Sequence, residues 1–313
     1  MSDTVITNPV ADSYEGLGSE QVSSVGDFFL LLKPRVMSLV VFTGLVGLVI
    51  APGALHPVLA IVAILCIAVG SGAAGAINMW YDRDIDAVME RTADRPIPAG
   101  RVVPDDALVF GGLLSLFSVG LLGLTTNWVA AGLLGSAILF YVFVYTMWLK
   151  RRTPKNIVIG GAAGAFPPLI GWAAVTGDVA AMPLVLFAIV FFWTPPHFWA
   201  LALFRSGDYG RAGIPMLPVV AGRRTTKAQM LAYTLLLLPL SVSPYFFGAA
   251  GPIYAAGVAL LGLLFIVCAV RVWREPEHAG DRCARQMFGF SILYLFLLFA
   301  LLPIDLVMTG GGL

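Results

Sequence analysis

The chain has 313 residues, of which 59% are hydrophobic and only 12% are charged, and its formal net charge is +1. A soluble domain carries about a quarter charged residues, so this composition excludes an ordinary water-soluble fold. The net charge itself says little, because in such a chain the sorting of charge matters more than its sum.

Residues 1–27 are polar and acidic. They lack the charged-then-apolar pattern of a signal peptide and are expected to form a disordered cytoplasmic tail ahead of a membrane domain over 28–313. Nine apolar runs follow, at roughly 30–52, 57–80, 106–126, 128–148, 157–177, 180–203, 228–248, 252–272 and 286–308. Each is about 20 residues long, enough to cross the hydrocarbon core as a helix. Only helices and closed barrels satisfy their backbone in lipid, and these runs are too long and continuous for barrel strands. The predicted fold class is all-α, a polytopic bundle of nine transmembrane helices.

The connecting segments alternate in charge. Lys33 and Arg35 open span 1. Arg83, Arg91, Arg95 and Arg101 lie between spans 2 and 3, and Lys150, Arg151, Arg152 and Lys155 between spans 4 and 5. Arg205, Arg211, Arg223, Arg224 and Lys227 lie between spans 6 and 7, and Arg271, Arg274, Arg282 and Arg285 between spans 8 and 9. All 19 Lys and Arg therefore fall on one side. The positive-inside rule places the N-terminus in the cytoplasm and the C-terminus outside. Cys66, Cys268 and Cys283 are scattered and make neither a disulfide framework nor a zinc site.

At the cytoplasmic end of span 2, "NMWYDRDID" puts Asp82, Asp84 and Asp86 beside sequence able to cross a bilayer. A continuing helix places Asn78, Asp82 and Asp86 on one face, about 40° apart. Asp84 points elsewhere, toward pairing with Arg83 or Arg91. Stacked carboxylates in a partly dry site take up a proton or hold a cation between them. Oxygen ligands suit magnesium, which binds one or two carboxylates together with substrate phosphates. Arg91, Arg95 and Arg101 follow in "ERTADRPIPAGRV", and the planar guanidinium fork suits phosphate oxygens. Acid and base together fit a metal ion and an anion bound as one unit. For the carboxylates alone, a solvated helix end explains the pattern equally well.

Asn78-x-x-x-Asp82-x-x-x-Asp86, followed by Arg91-Thr92 and Arg95-Pro96, resembles the first aspartate-rich motif of the UbiA superfamily of intramembrane prenyltransferases. "NMWYDRDIDAVMERTADRPIPAGRV", "YTMWLKRRTPKNIVIGGAAGAFPPLIGW", "TPPHFWALAL" and "DYGRAGIPMLPVVAG" together resemble its haem-farnesylating branch. The likeness runs from about residue 28 to the C-terminus. It implies a nine-helix bundle opening near the cytoplasmic side, in the bacterial plasma (inner) membrane. It implies farnesyl diphosphate and haem b as substrates and Mg2+ as cofactor. The farnesyl group goes to a haem vinyl group with addition of water and loss of diphosphate. The haem O product would pass to a haem A synthase or to terminal oxidase assembly. Membrane lipid surrounds the chain, and no nucleic acid partner is expected.

The resemblance also suggests roles for particular residues. Asn78, Asp82, Asp86 and Asp208 are the catalytic set, with Asp82, Asp86 and Asp208 as magnesium ligands. Arg91, Arg95, Lys150 and Arg151 contact the diphosphate, and Asn156 orients one of the basic side chains. Topology alone would account for the basic cluster at 150–155. Many relatives carry a second Asp-x-x-x-Asp near 208, whereas here Arg205, Ser206 and Gly207 precede a single Asp208. His197 lies in apolar sequence two residues after Pro195, and the Pro195-Pro196 pair is expected to break the helix there. A lone histidine on an apolar face is commonly a packed core residue. Intramembrane ionisable groups are costly, though, and histidine is a common haem neighbour. His197 is therefore the haem-binding candidate, as iron ligand, propionate contact or proton carrier. The small-residue faces "GSGAAGAIN" and "GGAAGA" are read as close helix packing, and His56 and His278 receive no role.

The nearest rival reading is a UbiA-type enzyme with an aromatic or quinone-precursor acceptor, which "PPHFW" disfavours. A transporter would place its acids near the bilayer midplane, whereas Asp82, Asp86 and Asp208 sit at cytoplasmic ends.

Overall fold

The computed structural model describes residues 23–276 and 279–309. All regular structure among them is helical. Two helices open the described residues, α1 (Val25–Leu31) and α2 (Pro34–Val49). The long α3 (Pro57–Tyr81) is followed by α4 (Arg83–Val88), α5 (Pro104–Thr125) and α6 (Trp128–Leu139). A π-helical segment, Phe140–Leu149, continues α6 into the same span. Then come α7 (Asn156–Thr176), α8 (Ala181–Phe204), the short α9 (Ser206–Arg211) and α10 (Leu217–Val220), α11 (Gly222–Phe246), α12 (Pro252–Arg274) and α13 (Arg282–Thr309). Proline at the first turn starts α2, α3, α5 and α12, where its missing N–H costs no hydrogen bond. The Asn127 side chain caps α6 by accepting from Ala130 N at 2.9 Å.

Eight helices are long and apolar enough to cross a membrane, and α1 with α2 makes a ninth span when the bent pair is taken as one. The nine expected spans match these helices closely. The expected tail, 1–27, lies outside the described residues up to residue 22. Its last residues, Val25, Gly26 and Asp27, belong instead to α1, which Ser24 caps by accepting from Asp27 N at 3.1 Å.

The first span departs from the single run expected at 30–52. It bends by 54° between α1 and α2. Lys33 sits at the break with φ 53°, in the left-handed region. Pro34 follows and prevents Lys33 from continuing the helix. The break fits because α3 presents glycines to it. A Cβ on Gly72 would meet Leu32 at 3.0 Å, and one on Gly75 would meet the Lys33 side chain at 3.4 Å.

The two larger of the four apolar clusters lie one on each side of α7. One gathers Trp199, Tyr254, Phe265, Tyr294 and Phe299 from α8, α12 and α13. The other gathers Ile67, Leu122, Leu134 and Ile170 from α3, α5, α6 and α7. The small-residue faces pack as expected. A Cβ at Gly171 would overlap the Gly44 carbonyl, and one at Gly47 would overlap the Pro168 backbone, so α2 and α7 touch backbone to backbone. Gly160 receives the Tyr145 ring and Gly161 receives Thr194.

Pro195 and Pro196 do not break α8, which runs unbroken from Ala181 to Phe204. Both prolines are buried in the middle of the bundle. A transmembrane helix tolerates the lost bonds when its neighbours hold it, and α7, α11 and α13 all pack on α8.

The basic segments meet at one end of the bundle. Arg101 pairs with Asp27 at 2.8 Å, Lys150 with Asp82 at 2.5 Å, and Arg223 with Asp281. At the opposite end, the Asp305 carboxylate accepts from Gly251 N and from Tyr254 N and so caps α12.

Candidate active site

The α3 helix ends at Tyr81, and α4 resumes after Asp82, whose φ is −91° and ψ 11°. The hydrogen-bond ladder nevertheless crosses the junction. Asp82 N donates to Asn78 O at 2.9 Å, and Asp86 N donates to Asp82 O at 2.8 Å. The one-face arrangement expected from the spacing therefore survives the break. Asn78, Asp82 and Asp86 are all buried, at 4%, 0% and 2% exposure, while the Asp84 side chain is 62% exposed.

Each buried acid meets a cation drawn from elsewhere in the chain. Lys150 Nζ lies 2.5 Å from Asp82 Oδ2, and Asn78 Nδ2 donates to the same oxygen at 2.6 Å. Arg95 donates to Asp86 Oδ2 at 2.6 Å, and Thr92 Oγ1 donates to the Asp86 carbonyl at 3.0 Å. Lys33 Nζ donates to Asn78 Oδ1 at 2.8 Å, and Asn78 Nδ2 also reaches Thr146 Oγ1 at 3.2 Å. Asn156 donates to the Lys150 carbonyl at 3.3 Å, so it steadies that lysine's backbone. The π-helical turn closes with Lys150 N donating to Tyr145 O at 2.9 Å, five residues back. Such turns recur where a side chain is re-aimed at a functional site, and this one delivers Thr146 and Lys150 to the acids of α3.

The partner of Asp84 is neither Arg83 nor Arg91. Arg151 grips it with two bonds, at 2.8 and 2.7 Å, while Arg83 turns back to the Trp80 carbonyl. The Arg151 guanidinium holds the Asp84 carboxyl below its ordinary pKa, and Asp84 raises that of Arg151 in return. Arg151 also approaches Asp82 at 3.5 Å and stacks over the Tyr81 ring at 4.9 Å. Arg91 is exposed.

Asp208 enters from α9 and is buried. Arg211 lies 2.5 Å from its Oδ1 and Arg205 3.7 Å from its Oδ2. Both arginines also face Glu90, at 3.4 and 3.9 Å, so α9 is tied to the loop after α4. Four buried atoms here have no hydrogen-bond partner: Asp208 Oδ2, Asn156 Oδ1, and the Nε of Arg205 and of Arg151. A bare carboxylate oxygen suits a hard cation, and bare guanidinium N–H groups suit an oxyanion. Among the described residues no three His, Cys, Asp or Glu side chains converge into a preformed metal cluster.

His197 is buried in α8. Its Nδ1 lies 2.7 Å from Ser291 Oγ of α13, and its ring stacks between Trp193 and Phe288. Packing thus occupies both faces of the ring and hydrogen bonding its Nδ1 edge.

Lys33, Thr146, Glu90, Arg205 and Arg211 were not anticipated as members of this cluster. For Lys33 the signal was available in the Lys33-Pro34 pair, which forbids an unbroken helix. The others depend on which loops meet.

A model of the UbiA prenyltransferase family matches residues 40–302. A protoheme IX farnesyltransferase of Parvibaculum lavamentivorans is 59% identical, covering 100% of this chain and 98% of its own. One from Acidiphilium cryptum is 58% identical, covering 97% and 99%. Among solved structures, a digeranylgeranylglyceryl phosphate synthase superposes with a TM-score of 0.71 at 18% identity, over 88% of this chain and 98% of that one. A UbiA homolog from Archaeoglobus fulgidus bound to GPP and Mg2+ superposes with a TM-score of 0.65 at 17% identity, over 88% and 99%.

Proposed function

The chain belongs to the UbiA prenyltransferase family, and on that premise we propose that it transfers the farnesyl group of farnesyl diphosphate to a vinyl group of haem b. Water is added, diphosphate is released and haem O is formed. The substrate assignment follows the near full-length likeness to protoheme IX farnesyltransferases. The carrying observation is the buried Asn78, Asp82 and Asp86 face with Lys150, Arg95 and Arg151 closing on it.

Asp82, Asp86 and Asp208, with the Asn78 side-chain carbonyl oxygen beside them, would hold magnesium, as Asp208 Oδ2, which accepts no hydrogen bond, favours. When bound, the ion supplies Lewis-acid neutralisation of the diphosphate. Arg95, Lys150 and Arg151, with Arg91 at the exposed rim, bind the diphosphate oxygens and stabilise the charge that grows on them. The allylic C–O bond breaks and its electron pair leaves with the diphosphate. The haem vinyl group then gives its π electrons to farnesyl C1. The resulting cation beside the porphyrin takes up water and loses a proton, which leaves the hydroxyethylfarnesyl substituent. Burial of the acids keeps bulk water from quenching the first cation.

Incubating the purified chain with haem b, farnesyl diphosphate and magnesium should give a product heavier than haem by one farnesyl group and one hydroxyl. Turnover of 4-hydroxybenzoate without turnover of haem would instead assign an aromatic acceptor. His197 positions haem in this reading. His197→Ala should weaken haem binding by about tenfold or more, roughly the loss of one buried hydrogen bond, while farnesyl diphosphate binding is kept. A packing histidine would lower both affinities only in step with lost folded protein.

The basic end faces the cytoplasm of a bacterial plasma membrane, with the N-terminus inside and the C-terminus outside. Reporter tags near residue 178 or after 313 should be exported, and tags near 95, 153 or 215 retained. A retained C-terminal tag would rule out nine spans. The product is suited to delivery within the membrane to a haem A synthase or to terminal oxidase assembly.

A further inference from the structure

The surroundings of His197 determine which of its nitrogens carries the proton. The Ser291 hydroxyl has one proton, and it goes to the Phe288 carbonyl 2.6 Å away. Ser291 Oγ therefore accepts at 2.7 Å from His197, so Nδ1 bears the ring hydrogen and Nε2 is left as a bare lone pair. Ser291 is itself pinned, because the Trp193 indole N–H donates to its carbonyl at 2.8 Å. The Trp193 ring then stacks on one face of the imidazole at 4.4 Å, and Phe288 stacks on the other at 4.6 Å.

We propose that Ser291 is a positioning residue for the haem side of the reaction. Together with Trp193 and Phe288 it holds His197 in one plane and one tautomer, so that Nε2 meets haem as an unprotonated Lewis base. This deepens the haem role given to His197 above and rests on it. The two aromatic faces set the plane of the ring. They leave the 180° flip about Cβ–Cγ and the choice of tautomer open, and the hydroxyl settles both. In apolar surroundings an imidazole N–H without an acceptor is costly. Without Oγ the ring would turn or shift its proton, and Nε2 would no longer be reserved for the ligand. The partner of a ligating histidine's second nitrogen commonly acts in this way.

The test uses the full chain in lipid nanodiscs. Haem b is titrated while its Soret band is recorded, and KM is measured separately for haem and for farnesyl diphosphate. Ser291→Ala should weaken haem binding by about tenfold, the low end for loss of such a partner. It should also shift the Soret band, raise KM for haem and leave KM for farnesyl diphosphate unchanged. Ser291→Thr keeps the hydroxyl and should restore all of these. Native haem affinity and spectrum in folded Ser291→Ala, with affinity lost in His197→Ala, would overturn the role of Ser291 and leave that of His197 standing. Native haem affinity in His197→Ala would end both. Should the alanine variant not accumulate, Ser291→Cys supplies the same measurement, because it keeps the volume and loses the strong acceptor. Native haem affinity there counts equally against the proposal.

Discussion

Asp82→Asn and Asp86→Asn should each lower farnesyl transfer by about 100-fold or more, the scale seen when one preorganised charge-stabilising group is lost from an active site. Asparagine preserves the shape and removes the charge. At Asp82 that charge faces Lys150 at 2.5 Å, with Asn78 donating to the same oxygen at 2.6 Å. At Asp86 it faces Arg95 at 2.6 Å. Each variant would leave a cation without its counter-charge and take a carboxylate from the proposed magnesium site. Both should still reach the membrane in normal amounts, because the apolar spans are untouched. Asp84→Asn is the control. Its side chain is 62% exposed and that of its partner Arg151 is 33% exposed, so water reaches the pair. An exposed ion pair contributes about 0–1 kcal/mol, so activity should stay within roughly fivefold of the parent. Product mass spectrometry on matched membrane preparations decides the matter, and equal losses at all three positions would sink the one-face arrangement.

Gly171→Ala and Gly47→Ala should prevent accumulation of folded protein, although neither position lies in the candidate site. A Cβ at Gly171 would overlap the Gly44 carbonyl, and one at Gly47 would overlap the Pro168 backbone. Overpacking costs about 1–3 kcal/mol where side chains can adjust, and more where they cannot. Here the obstacle is main chain on both sides, so no rotamer change relieves it. Gly164→Ala on the same helix meets nothing within 4 Å and should be neutral. Thermal unfolding of detergent-solubilised protein, followed by size-exclusion chromatography, measures the contrast. Native melting of Gly171→Ala would show that α2 and α7 have room to separate.

The spans were legible because each is a long apolar run, and lipid leaves the backbone little choice but helix. The Asn78, Asp82 and Asp86 face was legible because i, i+4 spacing survives a change of helix at Asp82 when the ladder crosses it. The bend at Lys33 was harder to see, because apolar residues continue on both sides of the Lys33-Pro34 pair and hydropathy averages across it. Local charge suggested Arg83 or Arg91 for Asp84, whereas the partner is 67 positions away in Arg151. Such a choice depends on which loops meet. Pro195 and Pro196 pointed to a broken helix, but packing on three sides kept α8 whole. The π-helical segment has no local signature, since its residues would suit an α-helix equally well.

The bend in the first span also sets the depth of the site. With α2 upright, its 16 residues rise about 24 Å, whereas the hydrocarbon slab is about 30 Å thick. The seven residues of α1, inclined by 54°, add about 6 Å along the same direction at the usual rise per residue. If the pair spans the slab in this way, the junction lies roughly one helical turn below its surface. Lys33 occupies that junction and Asn78 is bonded to it. A farnesyl chain lying among the lipid tails would therefore meet the polar cluster at its own level. The diphosphate would descend to the site from the headgroup layer, and the hydrocarbon would not have to leave the bilayer.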